Sequence, residues 1–166
     1  MRKWAKTAIL CGLLWSTSGA TADETRGSGV SFFARDQEGV ALSGYDPVSY
    51  QQPGGPVAGS TANRFEWSGA IWQFASEANL ADFAADPGRY APRYGGWCAW
   101  AVSRGYLQPS HPLAYTLVNG HLYLNWSAGV KRRWEATRAV NIISADRRWP
   151  TLAQSLIGDG EADGAP

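Results

Sequence analysis

The chain has 166 residues, long enough for one domain with a modest core. At 45% hydrophobic and 17% charged residues it is too apolar for an intrinsically disordered chain. A formal net charge of +1 leaves no large excess of either sign, and nine tryptophans imply a core built largely of aromatic rings.

Arg2, Lys3 and Lys6 precede a short apolar run from Thr7 to Trp15, and Ala20-Thr21-Ala22 fits the small-x-small cleavage rule. Residues 1–22 therefore read as a secretory signal peptide, cleaved near Ala22, and the mature chain is expected in the periplasm. The run is too short for a stable membrane-spanning helix. Cys11 lies in mid-run without a small residue before it, which argues against a lipoprotein. Cleavage removes three of the 15 basic residues and none of the 14 acidic ones, so the net charge falls from +1 to −2. That removes any compositional case for nucleic acid or an anionic membrane as partner. Cys11 leaves as well, so Cys98 becomes the only thiol and no internal disulfide can form.

Residues 23–40 are polar, with Phe32-Phe33 as their large apolar pair, and are expected as an N-terminal arm. Tyr45-Asp46-Pro47 starts a turn, and Pro53-Gly54-Gly55-Pro56 is a loop. Two alternating apolar runs around Ser68-Gly69 predict a hairpin. Ser76 is the expected N-cap of a helix through Ala78, Leu80, Phe83 and Ala84, which Asp86-Pro87 ends. Asn119-Gly120, flanked by alternating apolar residues, predicts a second hairpin with a I′ turn. Ser127 caps a helix over about Ala128 to Arg138, with Val130 and Trp134 inward and Lys131-Arg132-Arg133 solvated. Asn141 to Asp146 reads as a short helix that Trp149-Pro150 closes. Residues 151–166, rich in Gly and acid from Gly158 onward, are expected as a flexible tail. The order predicts an α+β domain over residues 41–150: a small antiparallel sheet built from hairpins, with helices packed on one face.

Three stretches carry a resemblance: GYDPVSY from Gly44, FEWSGAIWQFASEANLADFAADPGRYAPRYGGWCAWAVSRGY from Phe65, and LVNGHLYLNWS from Leu117. Together they resemble the exported YHS-domain family, small bacterial proteins carrying one YHS module, over about Ala41 to Pro150. Related modules handle soft or transition metals through cysteines that follow a DPV turn and sit in an FCS-type element. The matching positions here are Ser49 and Ala75, neither a thiolate, so that ligand set does not carry over. The resemblance implies an exported binding module, with no settled biochemical role to borrow.

Cys98, in YGGWCAW, admits three readings. It is a buried core residue, inert among Trp97, Ala99, Trp100 and Ala101. It is a ligand for copper or zinc with His111 and His121, since thiolate and imidazole suit both metals. Or it is a reactive thiol: a nucleophile or redox centre, although nothing in the sequence places a base beside it, or one half of a disulfide with another chain. Tyr45, Asp46, Tyr50, Tyr90, Tyr94, Trp97 and Trp100 are either an aromatic pocket for a small ligand or a core with satisfied polar tips. Asp46 more often serves such a turn as its cap. No phosphate loop, paired-carboxylate motif, haem attachment site or nucleophile elbow is present, so no catalytic residue is nominated. The expectation is a binding module near Cys98, taking a copper or zinc ion or a small ligand, rather than an enzyme. The alternative is a structural or protein-interaction domain with Cys98 in its core and no metal, its partner another exported protein.

Overall fold

Both expected hairpins form, and both turn on a pair of residues with positive φ. β1 (Ser60–Trp67) and β2 (Ala70–Phe74) pair antiparallel across Ser68 (φ 52°) and Gly69 (φ 73°). β3 (His111–Val118) and β4 (His121–Asn125) pair across Asn119 (φ 51°) and Gly120 (φ 77°). Positive φ at both central positions is what a I′ turn requires, and its twist matches that of the strands. The hairpins remain two separate two-stranded sheets, each with a register shift at the end far from its turn. The computed structural model describes residues 33–158. The expected signal peptide, residues 23–32 of the arm and residues 159–166 of the tail lie outside the described residues. With its helices and two antiparallel sheets the domain is α+β. Among the described residues no helix is long and apolar enough to cross a membrane.

Ser76 caps α1 (Glu77–Ala85), its Oγ accepting the Asn79 N–H at 3.1 Å. Asp86 ends that helix and caps α2 (Pro87–Tyr90), with Pro87 in the first turn, where its missing N–H costs nothing. Phe83 on α1 is fully buried against Phe65, Trp67, Trp72 and Phe74. These rings, with Leu122 and Leu124 of β4, form the first of two cores. The second gathers Tyr94, Ala99, Val102, Tyr123, Trp134 and Ala145. It is closed by α3 (Ala99–Val102), α4 (Ala128–Ala136) and α5 (Arg138–Gly158). Ser127 caps α4 as expected, and Trp134 is buried while Arg132 and Arg133 are exposed.

Two boundaries differ from the sequence reading. Residues 33–40 are not a free arm. The Phe33 ring is buried against Trp67 and Trp72, with centroids 5.4 and 5.0 Å away. Ala34 N–H donates to the Gly95 carbonyl, and Gly39 and Ala41 exchange backbone hydrogen bonds with Ile71. An aromatic pair that looked isolated in sequence thus supplies a core ring. At the other end Pro150 does not close the helix. α5 runs 21 residues with Pro150 inside it, so residues 151–158 are helical rather than tail. An interior proline costs about 3 kcal/mol. Trp149 and Leu152 on either side of it both pack on the second core, and that burial offsets the cost.

Among the described residues of the N-terminal half, Asp46 is a heavily bonded side chain. It is 0% exposed. Its Oδ1 accepts the N–H groups of Val48 (2.8 Å) and Ser49 (3.4 Å), the expected turn cap. Its Oδ2 reaches across the fold to accept Ala75 N–H (2.9 Å) and Asn79 Nδ2 (2.6 Å). One carboxylate therefore ties the DPV turn to the junction between β2 and α1. Replacing Asp46 with Ala leaves these buried donors without an acceptor and should destabilise the protein by about 3 kcal/mol, read from the denaturant midpoint. A loss well under 1 kcal/mol would show that the carboxylate does not hold this junction together.

Candidate functional site

The Cys98 segment is aimed by a tight left-handed turn. Tyr94, Gly95 and Gly96 have φ of 54°, 58° and 79°. Tyr94 tolerates this unfavourable region because its ring is anchored in the second core and its hydroxyl donates to Asp146 Oδ1 at 2.8 Å. Burial, reinforced by that hydrogen bond, pushes the Tyr94 hydroxyl far above its ordinary pKa. Beyond the turn the chain runs beside β4, where Cys98 bridges Leu124 in parallel and donates its N–H to the Gln108 carbonyl at 2.9 Å.

The thiol is 1% exposed. Its Sγ accepts the Trp126 N–H at 3.3 Å and lies 3.8 Å from Asn125 Oδ1, to which the S–H donates. Asn125 Oδ1 also accepts the Trp100 N–H at 3.2 Å, which fixes the orientation of the amide. Cys98 is thus a small core residue with both of its weak hydrogen-bonding capacities in use.

The expected metal set does not assemble. His111 starts β3 opposite Asn125, while His121 starts β4 opposite Val118. The two are four strand steps apart along β4, roughly 14 Å. β4 also separates His111 from Cys98, which lies on the other edge of that strand. Both imidazoles are exposed, and His111 Nδ1 accepts the Leu113 N–H. Among the described residues no group of three His, Cys, Asp or Glu side chains could hold a metal ion. The hairpin register that makes the second sheet is what keeps the histidines apart.

The expected aromatic pocket is likewise divided between the two cores. Tyr45 and Tyr50 belong to the first, where the buried Tyr50 hydroxyl donates to the Pro112 carbonyl. Burial raises the Tyr50 pKa well above its usual value. Asp46 is consumed by the turn and its cross-link. Tyr94, Trp97 and Trp100 belong to the second core. Of the set, only Trp100 lines a cavity next to Cys98.

That cavity is a cleft of about 450 Å³, with Cys98, Trp100, Tyr106, Gln108, Trp126 and Arg133 among its lining residues. Trp126 and Tyr106 are 51% and 50% exposed, so two large rings stand half in water beside it. The Arg104 guanidinium lies 4.0 Å from the centroid of the Trp100 ring, held by Ser103 Oγ and Asn141 Oδ1. Nothing in the sequence pattern marks Tyr106, Gln108 or Arg133 as site residues. The one available signal was Trp126, a large aromatic just past the end of a strand and just before a helix cap, where the core has already closed. A smaller cavity of about 150 Å³ includes Phe33, Trp72, Leu42 and Gly96 in its lining.

Comparison of the chain with protein-family models, with curated proteins and with solved structures finds no match. The likeness to the YHS family rests on the motifs quoted above.

The thiol geometry has a direct consequence. Cys98 should react with iodoacetamide only after the protein is unfolded, measured by mass spectrometry of the native and denatured chain. In Asn125→Ala, which strips an acceptor from both the thiol and the Trp100 N–H, stability should fall by about 2 kcal/mol and native labelling should become detectable. Rapid labelling of the unmodified native protein would contradict the burial described here.

Proposed function

We propose that the chain is an exported, non-enzymatic binding module of the YHS type that takes a small organic ligand in the cleft beside Cys98. One observation carries the reading: a concave site of ligand size has two half-exposed aromatic rings, Trp126 and Tyr106, in its lining. Ligand sites are typically apolar and aromatic clefts of roughly 300–1,000 Å³ with a few polar groups. Here Gln108 and Arg133 supply the polar groups. Cys98 contributes a buried, hydrogen-bonded floor. The small-ligand form of the reading is preferred to copper or zinc because His111 and His121 lie away from the thiol and the thiol is already engaged. Export draws its support from the signal-like N-terminus, and a lone buried thiol is compatible with an oxidising compartment.

The alternative, a protein-interaction domain with Cys98 in its core, draws on Val140 and Ile143. These sit three residues apart on α5, and both are more than half exposed.

Thermal-shift measurements with a library of aromatic fragments at millimolar concentration separate the two. The proposal expects fragments that raise Tm in the unmodified protein and lose that effect in Trp126→Ala, since a ligand stabilises only the state that binds it. If no fragment raises Tm, or if Trp126→Ala responds as the parent does, the interaction-domain reading takes its place.

A further inference from the structure

We propose that the cleft beside Cys98 selects a flat aromatic ring bearing a carboxylate. This inference rests on the reading of that cleft as a ligand site and adds the class of ligand. The lining holds three aromatic rings (Trp100, Tyr106 and Trp126) and one guanidinium, Arg133, with no Asp or Glu.

Arg133 is unneutralised by its own helix. Its neighbours three and four positions away are Val130, Ala136, Gly129 and Thr137, none of them acidic. The adjacent carboxylate on α4, Glu135, is engaged elsewhere: it pairs with Lys131 Nζ at 3.8 Å and accepts the Thr116 hydroxyl at 2.8 Å. The ion pairs among the described residues are Arg93–Asp146 and Lys131–Glu135, so Arg133 is in neither.

A second guanidinium reinforces the sign of the site. Arg104 stacks on Trp100, and its hydrogen-bond partners, Ser103 and Asn141, are both neutral. Of the cleft's rings, Trp100 therefore carries a guanidinium that is in neither ion pair among the described residues. Rings bind rings by offset or edge-to-face stacking, and a guanidinium binds a carboxylate through two parallel N–H···O bonds. The two together define an aromatic carboxylate. A neutral ring satisfies the walls but not Arg133, and an amine places like charge against it.

The test is a charge series on one ring. Naphthoate, naphthylmethanol and naphthylmethylamine are titrated into the purified protein by calorimetry at constant ionic strength. Naphthoate should bind about tenfold more tightly than the alcohol, and the amine should bind most weakly. Arg133→Gln should bring naphthoate down to the affinity of the alcohol and leave the alcohol unchanged, an outcome that a merely structural role for Arg133 would not produce. Arg132→Gln, the exposed neighbour outside the cleft lining, should keep the ranking. Equal affinities for naphthoate and the alcohol in the parent protein, or an amine that binds best, would overturn the carboxylate preference and leave the cleft as a ligand site. Failure of all three to bind, or binding indifferent to Trp126→Ala, would overturn both.

Discussion

β4 is a strand of five residues, four of them buried, and the two cores meet across it. Leu122 and Leu124 enter the first core and Tyr123 enters the second. Fully burying side chains of this size contributes roughly 1.5–3 kcal/mol each, and here a single short element serves both halves. Its edges are used as well as its faces. β3 pairs along one edge, and the Cys98 segment joins the other through the Leu124 bridge. A strand so enclosed cannot slip, because a shift of one residue would send Tyr123 into the leucine core and the leucines into the tyrosine core.

The cleft follows from where that strand stops. Asn125, fully buried, is its last residue, and its side-chain oxygen collects the Cys98 thiol and the Trp100 N–H. The next N–H, from Trp126, returns to the Cys98 sulfur. This small lock fixes the end of β4 against the start of α3. It also leaves Trp126 at the point where the first core has ended, half in water on the way to the Ser127 cap. Asp46 performs the comparable task in the N-terminal half, joining the DPV turn to the β2–α1 junction with one carboxylate. Both locks are polar and buried, and each fixes its geometry through several donors gathered on one side chain, although the Asn125 amide nitrogen is itself left without a partner among the described residues.

Local chemistry was legible in the sequence wherever a single turn or cap decided the outcome. Ser68-Gly69 and Asn119-Gly120 announce their hairpins, and Ser76 and Ser127 announce their helices. The reading failed where distant burial overruled a local signal. Pro150 looks like a helix stop, but Trp149 and Leu152 have a core to fill. Phe33 looks like part of a polar arm, but Trp67 and Trp72 lie waiting far along the chain. For the site, Cys98 and Trp100 were legible as an aromatic-wrapped thiol. The grouping of Cys98 with His111 and His121 was not sound, since only the hairpin register decides which residues share an end of the sheet. In sequence Arg133 looks like part of a solvated helix face. It is exposed, and its place beside the cleft depends on how α4 packs, which no window of sequence contains.

The proposed function turns on location: a ligand is expected in the cleft at the end of β4 and not in the smaller cavity beside Phe33. The most direct measurement is the indole N–H region of a nitrogen-15-labelled NMR spectrum, with tryptophans assigned by substitution and naphthoate added stepwise. The account predicts that the Trp100 and Trp126 signals move together and saturate, while Trp72, in the lining of the smaller cavity, keeps its position. A saturating shift at Trp72 with Trp100 and Trp126 unmoved would place the ligand in the other cavity and contradict the account.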